Sequence, residues 1–251
     1  MIKKHIPNLI TLLNLLCGSI AVVLTFQNEL VMATAFVFLG IFLDFFDGIA
    51  ARVLDARSEL GLQLDSLADL VTSGLVPSLV VFQLINHTFF ENNANDHTEW
   101  NQHFLDFNFD FSPYALFAFL IVMGSAYRLA NFNVDDRQTT SFRGIPTPAN
   151  AMMIMSLPLI LEFQSTAAVR DFILNPTFLI VLSIFSCWLL NSGIPIFAFK
   201  FKNLNWKENW FRFVFVIIAA LALIFLKFIA LPFIILAYVC FSLLMRKELI
   251  E

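Results

Sequence analysis

Apolar residues run along this chain in stretches long enough to cross a bilayer, separated by short polar breaks. A spanning helix needs roughly 17–25 predominantly apolar residues. By that measure, candidate spans lie at about 8–27, 31–54, 62–86, 113–133, 147–166, 176–198, 211–228 and 229–246. The pattern predicts an all-α polytopic membrane bundle of about eight transmembrane helices. The last two are separated only by the region around Lys227 and Pro232. No internal repeat, heptad run or soluble segment interrupts the pattern, so residues 1–251 are expected to form a single membrane domain. The basic opening before the first apolar run resembles a signal peptide. No small-residue cleavage site precedes a soluble region, and more spans follow, so a retained first span is expected.

Composition agrees with lipid as the solvent. The chain is 59% hydrophobic and carries 31 Phe among 251 residues. Its mean hydropathy is +0.79. Soluble domains hold roughly 45–50% apolar residues, and a fold of this size cannot hide so much more. The net charge of −4 is spread along the chain, and no basic stripe points to nucleic acid. Cys17, Cys187 and Cys240 sit far apart in apolar segments without metal-type spacing, and read as small core residues.

Basic residues orient the bundle. With the N-terminus cytoplasmic, thirteen of the 15 Lys and Arg fall on that side, and only Arg170 and Lys227 on the other. Both termini are therefore expected in the cytoplasm. The longest polar loop, about 87–112, falls on the far side with His87, His97 and His103. Their spacing is loose for a metal site, which favours a solvated loop.

Acidic residues within spans are costly and mark function. Four aspartates stand at the expected cytoplasmic ends of the second and third helices, in Asp44-Phe45-Phe46-Asp47-Gly48-Ile49-Ala50-Ala51-Arg52 and Gly61-Leu62-Gln63-Leu64-Asp65-Ser66-Leu67-Ala68-Asp69. Asp44 and Asp47 are three apart and Asp65 and Asp69 four apart, so each pair shares a helix face. The eight residues between Arg52 and Gly61 permit a tight turn, which lets antiparallel helices converge the carboxylates. Four carboxylates at close quarters must take up protons or bind cations. Hard divalent ions such as Mg²⁺ or Mn²⁺ suit oxygen ligands, and two ions are a plausible count for four carboxylates. Such a site can hold a diphosphate. Gly48, Ala51 and Gly61 leave room for a ligand, and Arg52 adds a fixed cation.

These residues match every fixed position of Asp-x2-Asp-Gly-x2-Ala-Arg-x8-Gly-x3-Asp-x3-Asp, and the sequence resembles the CDP-alcohol phosphotransferase family on that ground. The resemblance implies transfer of a phosphatidyl or phosphoalcohol group from a CDP-linked donor to an alcohol, with release of CMP. It implies two divalent ions on Asp44, Asp47, Asp65 and Asp69, and a homodimer. It also implies that Asp69 is the base on the acceptor hydroxyl; a purely ligating Asp69 is the alternative. The opening helix is similar as well. Asn8, Thr11, Asn14 and Gly18 lie within an arc of about 120°, facing either the nucleotide or a neighbouring helix.

Two later segments bear on the acceptor. Arg128-Leu129-Ala130-Asn131-Phe132-Asn133 and Phe142-Arg143-Gly144-Ile145-Pro146-Thr147-Pro148-Ala149-Asn150, with Leu16-Cys17-Gly18, resemble membrane phosphatidylserine synthases through about residue 160. Relatives often carry a second Arg where this chain has Asn131. The resemblance implies CDP-diacylglycerol and L-serine as substrates at the cytoplasmic face of a prokaryotic membrane. Arg128 and Arg143 are candidates for the serine carboxylate, for lipid phosphate or for ordinary interfacial anchoring. Asn131 and Asn133 are candidates for either end of serine. A sister enzyme acting on glycerol 3-phosphate or inositol phosphate would need a denser basic pocket than the sequence offers. A divalent-cation transporter would need acidic residues continuing across the span centres, and none do. A membrane scaffold leaves the aspartate spacing unexplained.

Overall fold

The structure, a computed structural model, describes residues 5–90, 111–134, 142–196 and 206–244. Residues 91–110 and 135–141 lie outside that set, and with them His97, His103 and Arg137. So do Lys3, Lys4, Lys200, Lys202, Arg246 and Lys247.

Almost every described residue is helical. The first two helices, α1 (Ile6–Phe26) and α2 (Leu30–Val53), form a long hairpin whose turn passes through Asn28 at φ 61°. A third rod begins as α3 (Glu59–Asp69), widens into a π-helical segment (Leu70–Leu75) and continues as α4 (Val76–Phe90). A 3₁₀ turn (Pro113–Phe119) leads into α5 (Leu120–Val134). The remaining helices are α6 (Thr147–Phe163), α7 (Ala167–Ile173), α8 (Pro176–Leu190), α9 (Trp206–Leu226) and α10 (Ala230–Leu244). Two short strands, β1 (Phe142–Arg143) and β2 (Pro195–Ile196), pair antiparallel beside the start of α6.

The bundle forms around α6, which is buried along most of its length and packs against α2, α4, α10 and the π-helical segment. Val37, Val76, Val80, Ile121, Ile154, Met155 and Leu179 fill the main core. A second cluster joins Met153 of α6 to Leu189, Phe215, Tyr238 and Val239. Many large side chains, among them Leu9, Phe42, Phe45, Val181 and Phe225, remain exposed on the outer faces. In water that surface would be prohibitive, whereas in lipid it is the expected exterior.

Among the described residues, five helical stretches are long and apolar enough to cross a membrane: Ile6–Phe26, Leu30–Val53, Glu59–Thr88, Pro113–Val134 and Phe213–Leu244. A sixth joins α7 to α8 through a 55° bend. The count differs from eight because α6 has only 17 residues and because Phe213–Leu244 enters as one stretch. That last stretch is nevertheless two rods. Phe215 of α9 stacks on Tyr238 and Phe241 of α10 at 5.6 and 5.9 Å. Along a straight helix, Phe215 and Tyr238 would stand about 34 Å apart. The reversal occurs at Lys227, whose φ is 50°. There, Gln164 from the end of α6 satisfies the interrupted backbone. Its amide donates to Leu226 O (3.1 Å), and its carbonyl accepts from Phe228 N (2.6 Å) and Ile229 N (3.3 Å). Broken backbone at membrane depth requires such partners.

The two ends of the bundle differ. One carries the aspartates with Arg52 and Arg57. The other holds Arg170 and His87 with Glu29 and Glu162, around a cavity of about 500 Å³ between the α1–α2 turn, α4, α6 and α7. Because the same cavity meets both the start of α2 and the end of α6, these two helices run antiparallel.

Candidate active site

The first carboxylate pair owes its direction to the aromatic residues around it. Phe42, Phe45 and Phe46 turn outward and pack on one another, with ring centroids 4.6 and 5.9 Å apart. Helical periodicity then directs Asp44 and Asp47 inward. After α2 the chain reverses through Asp55 at φ 48°. Ser58 caps the next helix, its hydroxyl accepting from Gly61 N at 3.0 Å. That cap starts α3 in the phase that returns Asp65 and Asp69 to the same space.

One carboxylate oxygen each from Asp44, Asp47 and Asp65 fall within 4.8 Å of one another. Asp47 is buried, and Asp44 and Asp65 are half-buried. This donor set is all oxygen, compact and anionic, and so fits a hard divalent cation. Asp69 does not belong to that closest set. It is buried one turn deeper on α3, within electrostatic range of Asp44, and accepts a long 3.5 Å hydrogen bond from Asn14 Nδ2. From α1, Thr11 Oγ1 donates to Asp47 Oδ2 at 2.5 Å. The polar stripe of α1 therefore serves the carboxylates, with Thr11 and Asn14 each holding one. Gly18, on the same stripe, makes a packing contact: a Cβ there would collide with Thr72 Oγ1.

Beside the cluster opens a cleft of about 480 Å³. Asn8, Thr11, Gly48, Ala51 and Gly61 line it, together with Asp47 and Asp65. A Cβ at Gly48 would meet open space, so Gly48 leaves the cleft floor clear. A Cβ at Gly61 would stand 3.1 Å from Asn8 Oδ1, so here glycine permits close approach of α3 to α1. Arg52 does not line the cleft. It is exposed, and its Nε donates back to Gly48 O at 2.9 Å, one turn earlier on its own helix. Arg57 and Ser58 line the cleft instead. Nothing in the residue spacing distinguished Arg57 from an ordinary interfacial cation.

The expected acceptor residues separate. Arg128 is buried on α5, within electrostatic range of Tyr238. Asn133 is half-buried and donates to Ser66 Oγ at 2.9 Å, tying α5 to α3. Asn131 is exposed. The backbone of Arg143 pairs with Pro195 in the two-stranded ribbon, and its side chain lies outside the described set.

Three helices thus deliver carboxylate oxygens and one cleft to a single point, as phosphoryl transfer between a nucleotide-linked donor and an alcohol requires. The sequence matches the CDP-alcohol phosphatidyltransferase family over residues 4–244, and the chain belongs to that family. It is similar to the CDP-diacylglycerol–serine O-phosphatidyltransferase of Bacillus subtilis, 33% identical over 156 residues, covering 61% of this chain and 75% of that one. The Helicobacter pylori protein of the same name is 27% identical over 226 residues, covering 88% of this chain and 81% of its own. The Methanocaldococcus jannaschii protein of that name is 25% identical over 150 residues, covering 60% and 58% respectively.

Proposed function

We propose that this chain transfers the phosphatidyl group of CDP-diacylglycerol to the hydroxyl of L-serine, giving phosphatidylserine and CMP. The observation that carries the chemistry is the convergence of Asp44, Asp47 and Asp65 within 4.8 Å beside a cleft of nucleotide size. The names of the similar proteins support serine as acceptor.

In this reading, Asp44, Asp47 and Asp65 would hold divalent cations, two Mg²⁺ or Mn²⁺, with Asp69 completing the set. When bound, the ions would supply charge neutralisation for the diphosphate and for the departing CMP. The chain's own groups do the rest. Asn8, Thr11, Gly48, Ala51 and Gly61 receive the cytidine diphosphate, with Arg57 at the cleft wall. Asp69, steadied by Asn14, takes the proton of the acceptor hydroxyl. The hydroxyl oxygen bonds to the lipid-side phosphorus as the bond to CMP breaks. Apolar outer faces beside the aspartates accommodate the diacyl tail.

The aspartate end faces the cytoplasm of a prokaryotic membrane. Arg170 and Lys227, the two basic residues expected on the far side, both lie at the opposite end of the bundle, in keeping with that orientation. A second copy of the chain completes a homodimer, as the family resemblance implies.

The test is CMP release by purified protein in detergent, with CDP-diacylglycerol, Mn²⁺ or Mg²⁺, and each alcohol in turn. Release with L-serine and not with glycerol 3-phosphate or inositol phosphate is expected. Release with glycerol 3-phosphate alone would overturn the assignment.

A further inference from the structure

Asn150 is fully buried on α6, and neither its side-chain nitrogen nor its oxygen has a hydrogen-bonding partner. Leaving a buried polar group unpaired is costly, and native proteins rarely tolerate two on one side chain. A neighbouring element contributes another such group, because the buried hydroxyl of Ser73 in the π-helical segment is also unpartnered. A third belongs to Asn14, whose Oδ1 is unpartnered while its nitrogen holds Asp69.

Two helix registers place these groups at similar depth beneath the aspartates. Thr34 of α2 donates to Met155 O of α6 at 3.3 Å. Since α2 and α6 are antiparallel, Asn150 falls level with Leu39 and Gly40. A Cβ on Gly40 would stand 2.7 Å from Thr72 Cγ2 and 2.8 Å from Asn14 Oδ1, so α1, α2 and the π-helical segment meet at that level. Gly40 is four residues, about 6 Å, from Asp44 along the helix axis. Side chains lean toward the N-terminus of their helix, which for Asn150 is the aspartate end.

The second register comes from α5. Its Ser66–Asn133 hydrogen bond and its Gly74–Ser125 contact fix α5 antiparallel to the third rod. The residue numbers in each pair have the same sum. Arg128 is therefore level with Val71, and Asp69 with Ala130. Arg128 thus stands within a turn of Asp69, beside Tyr238, which shares a cluster with Met153 and Ala149 of α6.

We propose that Asn150 is a specificity-determining residue, forming with Ser73 the polar floor that receives the amino-acid end of the acceptor. The side-chain amide offers an N–H to a carboxylate and a carbonyl to an ammonium, as a zwitterion requires. Arg128 adds guanidinium N–H groups from the adjacent helix. The hydroxyl of the same molecule then reaches up toward Asp69, about one turn nearer the cleft. Glycerol 3-phosphate, with up to two negative charges and no ammonium, offers the amide carbonyl no cationic partner. This inference rests on the proposed serine chemistry and extends it to the residues that recognise serine.

The experiment compares wild type with Asn150→Ala and Asn150→Asp, purified in detergent, with KM and kcat measured separately for L-serine and for CDP-diacylglycerol. Asn150→Ala is expected to raise the KM for L-serine tenfold or more, with the KM for CDP-diacylglycerol and the half-saturating Mn²⁺ within about twofold of wild type. Asn150→Asp repels the serine carboxylate and should be at least as impaired toward L-serine. If Asn150→Ala does not fold, Ser73→Ala provides the same readout, with a smaller rise in serine KM. A serine KM within twofold of wild type in the folded variants would overturn the inference and leave the parent reading standing. Equal rises in the KM for both substrates would mark a structural residue and overturn it also. Wild-type protein that does not use L-serine at all would defeat the parent reading and this one together.

Discussion

Replacing Thr11 with valine tests how the carboxylates are held. The change preserves shape and removes one hydroxyl. Thr11 is buried, and that hydroxyl donates to Asp47 Oδ2 at 2.5 Å while approaching Pro7 O at 3.1 Å. A hydrogen bond to a charged group contributes about 1.5–3 kcal/mol. At about 1.4 kcal/mol per tenfold, its loss should weaken cation binding by about 10–100-fold. Groups that orient metal ligands commonly have effects of that size. The assay is the Mn²⁺ dependence of CMP release at saturating CDP-diacylglycerol and L-serine. Thr11→Val should shift the half-saturating Mn²⁺ upward by about 10–100-fold, with turnover at saturating Mn²⁺ much less affected. Thr11→Ser, which restores the hydroxyl, should return close to wild type. The reasoning fails if Thr11→Val, folded by thermal melting, keeps its half-saturating Mn²⁺ within twofold, or if the serine variant is equally impaired.

Asp69→Asn should lower CMP release by about 10²–10⁴-fold, the range for loss of a general base. Because Asp69 completes the set without belonging to its closest three members, Mn²⁺ binding should weaken but persist in that variant; near-normal turnover would remove Asp69 from the proton-transfer role. Arg57→Ala should raise the KM for CDP-diacylglycerol severalfold, whereas Arg52→Ala should change it by no more than about twofold, since that guanidinium bonds its own helix. Identical effects from the two substitutions would contradict the cleft assignment. Gln164→Leu strips the partners from three backbone groups at the α9–α10 reversal and should destabilise the protein by about 1–3 kcal/mol or more, read as a lowered melting temperature in detergent. An unchanged melting temperature would show that the reversal does not depend on Gln164.

What was legible in the sequence follows from which forces are periodic. Spans announce themselves because lipid demands unbroken apolar runs, so the helical rods were readable, whereas the division near Lys227 and Pro232 left no break in the apolar run to fix it. The π-helical segment at Leu70–Leu75 was not, because a widened turn changes hydrogen bonding without changing composition. The aspartate pairs were readable because spacings of three and four fix a face. The same spacing of four displaces Asp69 by about 6 Å from Asp65, which is why the tightest carboxylate set has three members rather than four. Arg52 read as a substrate cation because its neighbours are functional, yet a helix-terminal guanidinium finds its own backbone carbonyls first. Arg57 reaches the cleft only through the turn at Asp55, whose left-handed backbone leaves no pattern in composition. Asn150 carries little signal in an otherwise apolar helix. Its meaning comes from unpartnered burial, which is a property of packing.

The central claim is that Asp44, Asp47 and Asp65 gather divalent cations at one end of the bundle. Direct binding of Mn²⁺ to the purified protein, followed by electron paramagnetic resonance, tests it without any turnover. The account predicts about two Mn²⁺ per chain for wild type, and a large loss of binding when Asp44 and Asp65 are both changed to asparagine in a protein that still melts cooperatively. Wild-type protein that binds no Mn²⁺, or a folded double variant that binds it as tightly as wild type, would contradict the account.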